Sequence, residues 1–309
     1  MRALVTGGAG FIGSHVVREL LHRGHEVVVL DNLSTGFVEN LEDIQGPVQF
    51  IQGDVQNPDV VRSAMAGCAV VFHLAASVGN QRSIVDPIHD ASVNLIGSLH
   101  VLNAARQSNV EKVVIASSAG IFGEPVRLPV DEEHPKDPGS PYGVTKLAAE
   151  HMAMVYHRLF GLGTVALRYF NVYGPLQRYD AYGNVIPIFA QHVMQRRPVT
   201  IYGDGNQTRD FVNVADVARA TVAAGLVTKA SGVYNIGSGS AVTLNELVQT
   251  MRDVTGIDIA VRYADPRPGD VRHSLTSLAR ASRDFHYQPS CGLEEGLHGY
   301  FDWFAGWVN

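Results

Sequence analysis

The chain has 309 residues, 46% apolar and 17% charged, and 24 Lys and Arg against 30 Asp and Glu leave a net charge of −6. That length fits one large domain or two on one chain, and that apolar fraction excludes a mainly disordered state. The acid excess without any Lys/Arg run argues against nucleic-acid binding, while two distant cysteines, Cys68 and Cys291, exclude a disulfide framework, an iron–sulfur cluster and a Cys-based zinc site.

The 13 histidines are scattered with no HExxH pair, so no metal is expected. No apolar stretch approaches the ~20 residues a membrane helix needs, and the start at Met1 lacks the apolar run of a signal peptide. A cytoplasmic protein in a reducing compartment is expected.

In chain order, short apolar β-branched runs alternate with amphipathic helical stretches. Strands are expected at Ala3–Val5, Glu26–Leu30, Val48–Gln52, Val70–Leu74, Lys112–Ser117 and Thr164–Tyr169. Helices are expected at Phe11–Arg23, Asp90–Ser108 and Tyr142–Phe160. Continuous apolar strands joined by helices imply an α/β fold, a parallel sheet covered on both faces. Beyond Tyr173 the pattern is less regular, with Gly, Pro and Asn clustered over 173–183 and 202–207. Helices at Val185–Arg197 and Thr243–Thr255 and strands at Val233–Ile236 and Ile259–Tyr263 are expected there. No internal repeat or low-complexity linker is present. The boundary is expected near Tyr173, with 1–172 as the sheet domain and 173–309 as a smaller α/β C-terminal substrate domain. Some elements of the second are expected to return to the first.

Gly7-Gly8-Ala9-Gly10-Phe11-Ile12-Gly13 follows the first strand and opens a helix. Glycines at 7, 10 and 13 let the backbone turn tightly and approach a pyrophosphate, whose charge sits on helix N–H groups. Asp31 ends the second strand about 20 residues on, where a carboxylate accepts hydrogen bonds from ribose hydroxyls and repels a 2′-phosphate. These features read as a Rossmann-type, doubly wound dinucleotide-binding domain that prefers NAD to NADP. Asp54 and Val55, just past the third strand, are placed to meet the adenine.

Tyr142 and Lys146 stand at i and i+4 on one helix face. A free tyrosine, with a pKa of about 10, is a poor base at neutral pH, and a neighbouring ammonium favours its phenolate. Ser117 and Ser118 end a strand, on the side where such folds bind ligands. A hydroxyl there can hydrogen-bond a substrate oxygen and relay its proton to Tyr142.

With these residues in hand, the sequence resembles the extended short-chain dehydrogenase/reductase superfamily, and within it the nucleotide-sugar 4-epimerases. The matching segments are Gly7 to His15, Asp31 to Gly36, His73 to Ala76, Ser117-Ser118, Tyr142 to Lys146, Arg168 to Pro175, Arg209 to Phe211 and Arg267 to Asp270. They run in family order over nearly the whole chain.

The resemblance implies tightly held NAD and a UDP-sugar substrate. Tyr142 as phenolate takes the 4-hydroxyl proton, Ser118 bridges to that hydroxyl, and Lys146 holds the nicotinamide ribose and lowers the Tyr142 pKa. The 4-keto sugar turns over in the site and is reduced on its other face, with no net redox. Phe11, Ile12, Asn32, Leu74, Ala75, Ala76, Asn94, Ser117 and Tyr169 are implied around the dinucleotide. On the substrate side Asn171, the backbone at Asn184 and Val185, and a pyrophosphate clamp of Arg209 and Arg267 are implied, with Asp270 on the uridine ribose. A homodimer through the Asp90–Ser108 and Tyr142–Phe160 helices is expected on the same ground.

Ser118 is followed by Ala119, Gly120 and Ile121, so the acid that related dehydratases carry here is missing. A non-catalytic NAD sensor would need the glycine turn and Asp31 but not Tyr142, Lys146 and Ser118. Substrate choice stays open. Ser274 occupies a position where related epimerases carry a tyrosine or a small residue, the latter leaving room for a 2-acetamido group; it also reads as a plain small strand residue. Arg178 has the spacing of an arginine that meets a C6 carboxylate in related uronate epimerases, or it is a loop cation. Phe122 and Leu176 depart from the tyrosine and arginine usual in the related epimerases.

Overall fold

The computed structural model describes residues 1–179, 183–266 and 271–308. Seven parallel strands form the central sheet: β1 (Arg2–Thr6), β2 (Glu26–Asp31), β3 (Val48–Gln52), β4 (Val70–His73), β5 (Lys112–Ser118), β6 (Gly163–Tyr169) and, from the second half, Gly232–Ile236. Their spatial order puts Gly232–Ile236 at one edge beside β6, then β5, β4, β1, β2 and β3. The chain reverses its direction of winding between β1 and β4, and the carboxyl ends at such a switch point form a ligand crevice. The glycine turn and the end of β5 both open there.

Helix α1 (Phe11–His22) covers one face together with Val214–Leu226, and α2 (Pro58–Ala64) covers the other. The helix expected at Asp90–Ser108 is longer and broken. After α3 (Asn80–Val85) come α4 (Pro87–Ala91), a π-turn at Ser92–Gly97 and α5 (Ser98–Gln107). Asp86 caps α4 through the His89 amide at 3.0 Å, which starts the helix three residues early. The π-turn brings Gly97 so close to Val55 that a Cβ would stand 2.8 Å from its Cγ2.

Helix α6 (Pro141–Phe160) follows the expected Tyr142–Phe160 stretch, with Ser140 capping Gly143 N at 3.2 Å and Gly161 in the left-handed conformation closing it. Beyond β6 come β7 (Asn171–Tyr173), α7 (Val185–Met194), β8 (Val199–Tyr202), β9 (Thr208–Arg209), β10 (Phe211–Asn213) and α8 (Val214–Leu226). The edge strand Gly232–Ile236 is β11, followed by β12 (Val242–Thr243), α9 (Leu244–Thr255), β13 (Val261–Ala264), α10 (Ala279–Phe285) and α11 (Leu293–Val308).

The second half therefore contributes twice to the first: β11 extends the sheet and α8 packs across it against α1. A separate core of α7, α9 and α11 holds the rest, built on Phe189, Leu247, Tyr300 and Phe304. The sequence reading misses α8 because Val214, Val217, Ala218, Ala220, Val222 and Ala224 are all buried, and a helix apolar on most faces shows no amphipathic period. Among the described residues no helix is long and apolar enough to cross a membrane.

Candidate active site

The glycine turn after β1 is a cradle that side chains would fill. Gly7 has φ +70°, and a Cβ there would stand 2.7 Å from the Ala75 amide; one at Gly13 would stand 2.0 Å from the Gly7 carbonyl. Gly10 starts α1 without a side-chain cap, so no capping oxygen occupies the first-turn amides of Phe11, Ile12 and Gly13, which suits them to an anionic ligand.

At the end of β2, Asp31 is buried and accepts the Ala9 amide at 2.9 Å and the Leu33 amide at 2.8 Å. Burial pushes its carboxyl above the usual range, while those amides pull it back. Asn32 donates to Asp54 at 2.7 Å and the Gln56 amide donates to the same carboxylate at 2.8 Å. Burial alone would raise Asp54, but these bonds prevail and hold it below the ordinary carboxylate value. The Val55 side chain is in the core, and His100 donates to its carbonyl at 3.0 Å. The cradle, the fixed acid and the uncapped helix fit an NAD-type dinucleotide.

Leu74 and Ala75 lie against this turn at Gly7, held by buried groups to which the sequence reading gives no role. The Ser98 hydroxyl gives its one proton to the Asn94 carbonyl at 2.6 Å, so it accepts from His73 Nε2 at 2.9 Å. His73 Nδ1 then accepts from Thr6 Oγ1 at 2.7 Å, and Thr6 accepts the Ala75 amide at 3.3 Å. The Asn94 amide is bonded within the protein: Oδ1 takes Ser77 N at 2.9 Å, and Nδ2 reaches Ser77 O at 2.9 Å and Asp90 at 3.0 Å.

The reacting groups meet at the end of β5. Ser118 Oγ and the Tyr142 ring lie side by side at Gly120, and Ser118 Oγ accepts Gly120 N at 3.1 Å. Tyr142 N is held by Ser83 Oγ at 3.0 Å, and Thr145, beside Lys146, donates to the buried Asp90 at 2.6 Å. Burial pushes the Tyr142 phenol up to about 12; the Ser118 hydroxyl pulls it down and the Asp90 charge pushes it up. Burial lowers Lys146 to about 8 against the opposing pull of Asp90. Within the protein it is Ser118, rather than the Lys146 charge, that draws the phenol back down.

Two expected cofactor residues turn their side chains elsewhere. Ser117 Oγ donates to Glu150 at 3.0 Å, and Tyr169 pairs with Thr221 at 2.8 Å inside the core. On the substrate side, Asn171 pairs with Phe211 across β7 and β10, and Arg209 donates to the Thr208 carbonyl at 2.9 Å. Between them Asp210, fully buried, accepts Ser238 N at 2.6 Å and Thr276 N at 3.0 Å, which ties the 238 and 276 turns to the strand beside Arg209. The Arg209-Asp210-Phe211 run is the signal that could have found it.

Ser274 is buried nearby, with its amide on Thr208 Oγ1 at 3.4 Å. Asn184 and Val185 start α7, with no side-chain cap. Arg267 and Asp270 lie outside the described residues. Arg178 is engaged with the 37–40 segment. Its guanidinium lies 3.3 Å from the Phe37 ring centroid and donates to Asn40 Oδ1 at 3.4 Å. Phe122 is interior, its ring 5.5 Å from His134 and 6.4 Å from Phe170, and Leu176 adopts a left-handed φ of 70°.

Residues 3–237 match the model of the NAD dependent epimerase/dehydratase family. A UDP-glucose 4-epimerase of Thermus thermophilus, solved with NAD, is 42% identical over 99% of each chain, with a TM-score of 0.90. A UDP-N-acetylglucosamine 4-epimerase of Methanobrevibacter ruminantium, in complex with UDP-N-acetylmuramic acid, is 35% identical over 99% of this chain and 98% of its own, with a TM-score of 0.95. A UDP-glucuronic acid 4-epimerase of Bacillus cereus, with UDP-glucuronic acid and NAD, is 32% identical over 99% of this chain and 100% of its own, with a TM-score of 0.93.

Proposed function

The chain belongs to the NAD-dependent epimerase/dehydratase family, and from that premise we propose that it interconverts UDP-glucose and UDP-galactose, and UDP-GlcNAc and UDP-GalNAc, at C4. The observation that carries this reading is that Ser118 and the Tyr142 ring stand together at Gly120, beside the glycine cradle. Bound NAD supplies the hydride acceptor, then the donor, and in its oxidised form the positive charge that favours a phenolate beside it.

Tyr142 takes the proton of the 4-hydroxyl and later returns it. Ser118 holds that oxygen within reach of Tyr142. Lys146 binds the nicotinamide ribose from the same helix face. Arg209, with Arg267, Asp270 and Asn171, holds the UDP while the 4-keto sugar turns over, so that both faces of C4 are presented to the same groups. The small Ser274 supports a pocket that accepts a 2-acetamido group. The engagement of Arg178 with Phe37 and Asn40 supports neutral sugars over uronates.

The test is to incubate the purified protein with UDP-glucose, UDP-GlcNAc and UDP-glucuronate separately, adding no NAD, and to resolve the products by proton NMR. Conversion of the first two to their 4-epimers is expected. All three returning unchanged, even after NAD is added, would overturn the reading.

The enzyme is further proposed to act as a homodimer. Ile84, Val85 and Ile88 on α3 and α4, with Val144, Leu159 and Phe160 on α6, are exposed along neighbouring helices, Ile88 at 80%. Sedimentation should give twice the monomer mass, and Ile88→Asp should halve it.

A further inference from the structure

Behind the reacting groups lies a buried ion pair that the chemistry above does not use. Tyr142, Lys146 and Glu150 follow at four-residue spacing along one side of α6. Glu150 and Arg168, on β6, are each 1% exposed. Glu150 Oε1 accepts Arg168 Nη2 at 2.6 Å, and Oε2 accepts both Arg168 Nε and the Ser117 hydroxyl at 3.0 Å. Arg168 Nη1 donates to the Glu132 carbonyl at 2.9 Å. The Glu132 carboxylate accepts the Asn235 amide at 2.9 Å, and the Asn235 side chain donates to Val130 O at 3.0 Å. One guanidinium thus joins α6 and the end of β5 to the 130–132 segment and the edge strand β11.

We propose that Glu150 and Arg168 are positioning residues for the epimerisation, fixing α6 against the end of β5 so that Ser118, and not its neighbour Ser117, meets Tyr142. This rests on the epimerase reading above. Ser117 and Ser118 are chemically alike and adjacent. Glu150 takes the first hydroxyl and thereby sets the register that leaves the second in the crevice. A buried ion pair is a weak source of net stability, since well-packed apolar replacements are often as good. A bidentate fork with a third ligand supplies orientation instead. Orientation matters here because a misplacement of ~1 Å at a reacting centre costs about a hundredfold in rate.

The test begins with wild-type turnover of UDP-glucose; none would overturn the reading of the site before the pair is touched. With turnover in hand, Ser117→Ala and the charge-neutral double variant Glu150→Met/Arg168→Met are compared with it. Both should carry NAD and keep KM within about twofold, while kcat falls about tenfold in the first and about a hundredfold in the second. The acid limb of the kcat profile should move to higher pH in the double variant, because the Ser118 contact that draws the phenol down is loosened. A merely structural pair would lower the melting temperature and leave kcat and its pH profile in place, which would overturn the proposal. Should the double variant not fold, Ser117→Ala decides alone: wild-type kcat there rejects it.

Discussion

Tyr142 and Lys146 sit one turn apart on α6, and burial moves their protons in opposite directions, the phenol up to about 12 and the ammonium down to about 8. A base must lose its proton before it works, so the rate rises with pH through the pKa that Tyr142 adopts in the holoenzyme. A lysine that must stay charged makes the rate fall above its own pKa. The kcat profile is therefore expected to be bell-shaped, with the descending limb near the Lys146 value. Tyr142→Phe should cost about a thousandfold in kcat and leave bound NAD in place, read by product NMR and by cofactor released on denaturation. Undiminished turnover in that variant would remove Tyr142 from the chemistry.

Asp31 does two things at once. Its carboxylate orients the turn through Ala9 and Leu33, and its charge stands where a 2′-phosphate would approach. Asp31→Asn keeps an acceptor for one amide and drops the charge. Its affinity for NAD should fall about tenfold, and the preference for NAD over NADP should shrink by more, because repulsion is lost as well as a charge-assisted bond. Reconstitution of cofactor-stripped protein with each dinucleotide measures both. An unchanged NAD/NADP ratio would mean the discrimination lies elsewhere.

These two sites are legible in the sequence because their geometry is local. Strand, glycine turn, helix and acid lie within 31 residues, and an i,i+4 pair on a helix needs no fold to be adjacent. What escapes is set by packing between distant segments. Nothing in the spacing of Ser117 and Ser118 says that Glu150 claims the first. Arg178 and Asn40 are 138 positions apart, so only the fold reveals that they meet. Asn94 is implied around the dinucleotide only by the resemblance, and nothing in its spacing shows that its amide bonds Ser77 and Asp90. Helix α8 disappears from the pattern because it is buried on most sides.

His73 makes the fold sensitive to acid. It is 2% exposed, both ring nitrogens are bonded, and burial, then the nearby Lys146 charge, lowers its pKa to about 3. The unfolded chain has an ordinary histidine near 6.5, so between those values unfolding takes up a proton and stability falls as pH falls. By about pH 4 the loss from His73 should be about 3 kcal/mol. His15, lowered to about 4 mainly by burial, adds a loss of the same sign. His73→Gln should be less stable than wild type at neutral pH, having lost bonds, yet lose less on acidification. Melting temperatures of both proteins at about pH 7 and about pH 4.5 make the comparison. An equal drop in each would clear His73 of the effect.

Ser274 offers the sharpest handle on substrate choice. It is buried, follows the segment that carries Arg272 and His273, and its amide is tied to Thr208, one residue from Arg209. A tyrosine there must direct its ring into the crevice or displace that segment. If the crevice holds the sugar, Ser274→Tyr should remove the room for a 2-acetamido group and leave a 2-hydroxyl untouched. Turnover of UDP-GlcNAc is then expected to fall by about a hundredfold while UDP-glucose keeps its rate within a few-fold, since steric exclusion discriminates more strongly than the loss of one apolar contact. Paired kcat/KM measurements on the two sugars decide it. An equal fall for both would mean that the ring had displaced the segment. An equal rate for both would put the 2-position of the sugar elsewhere in the crevice.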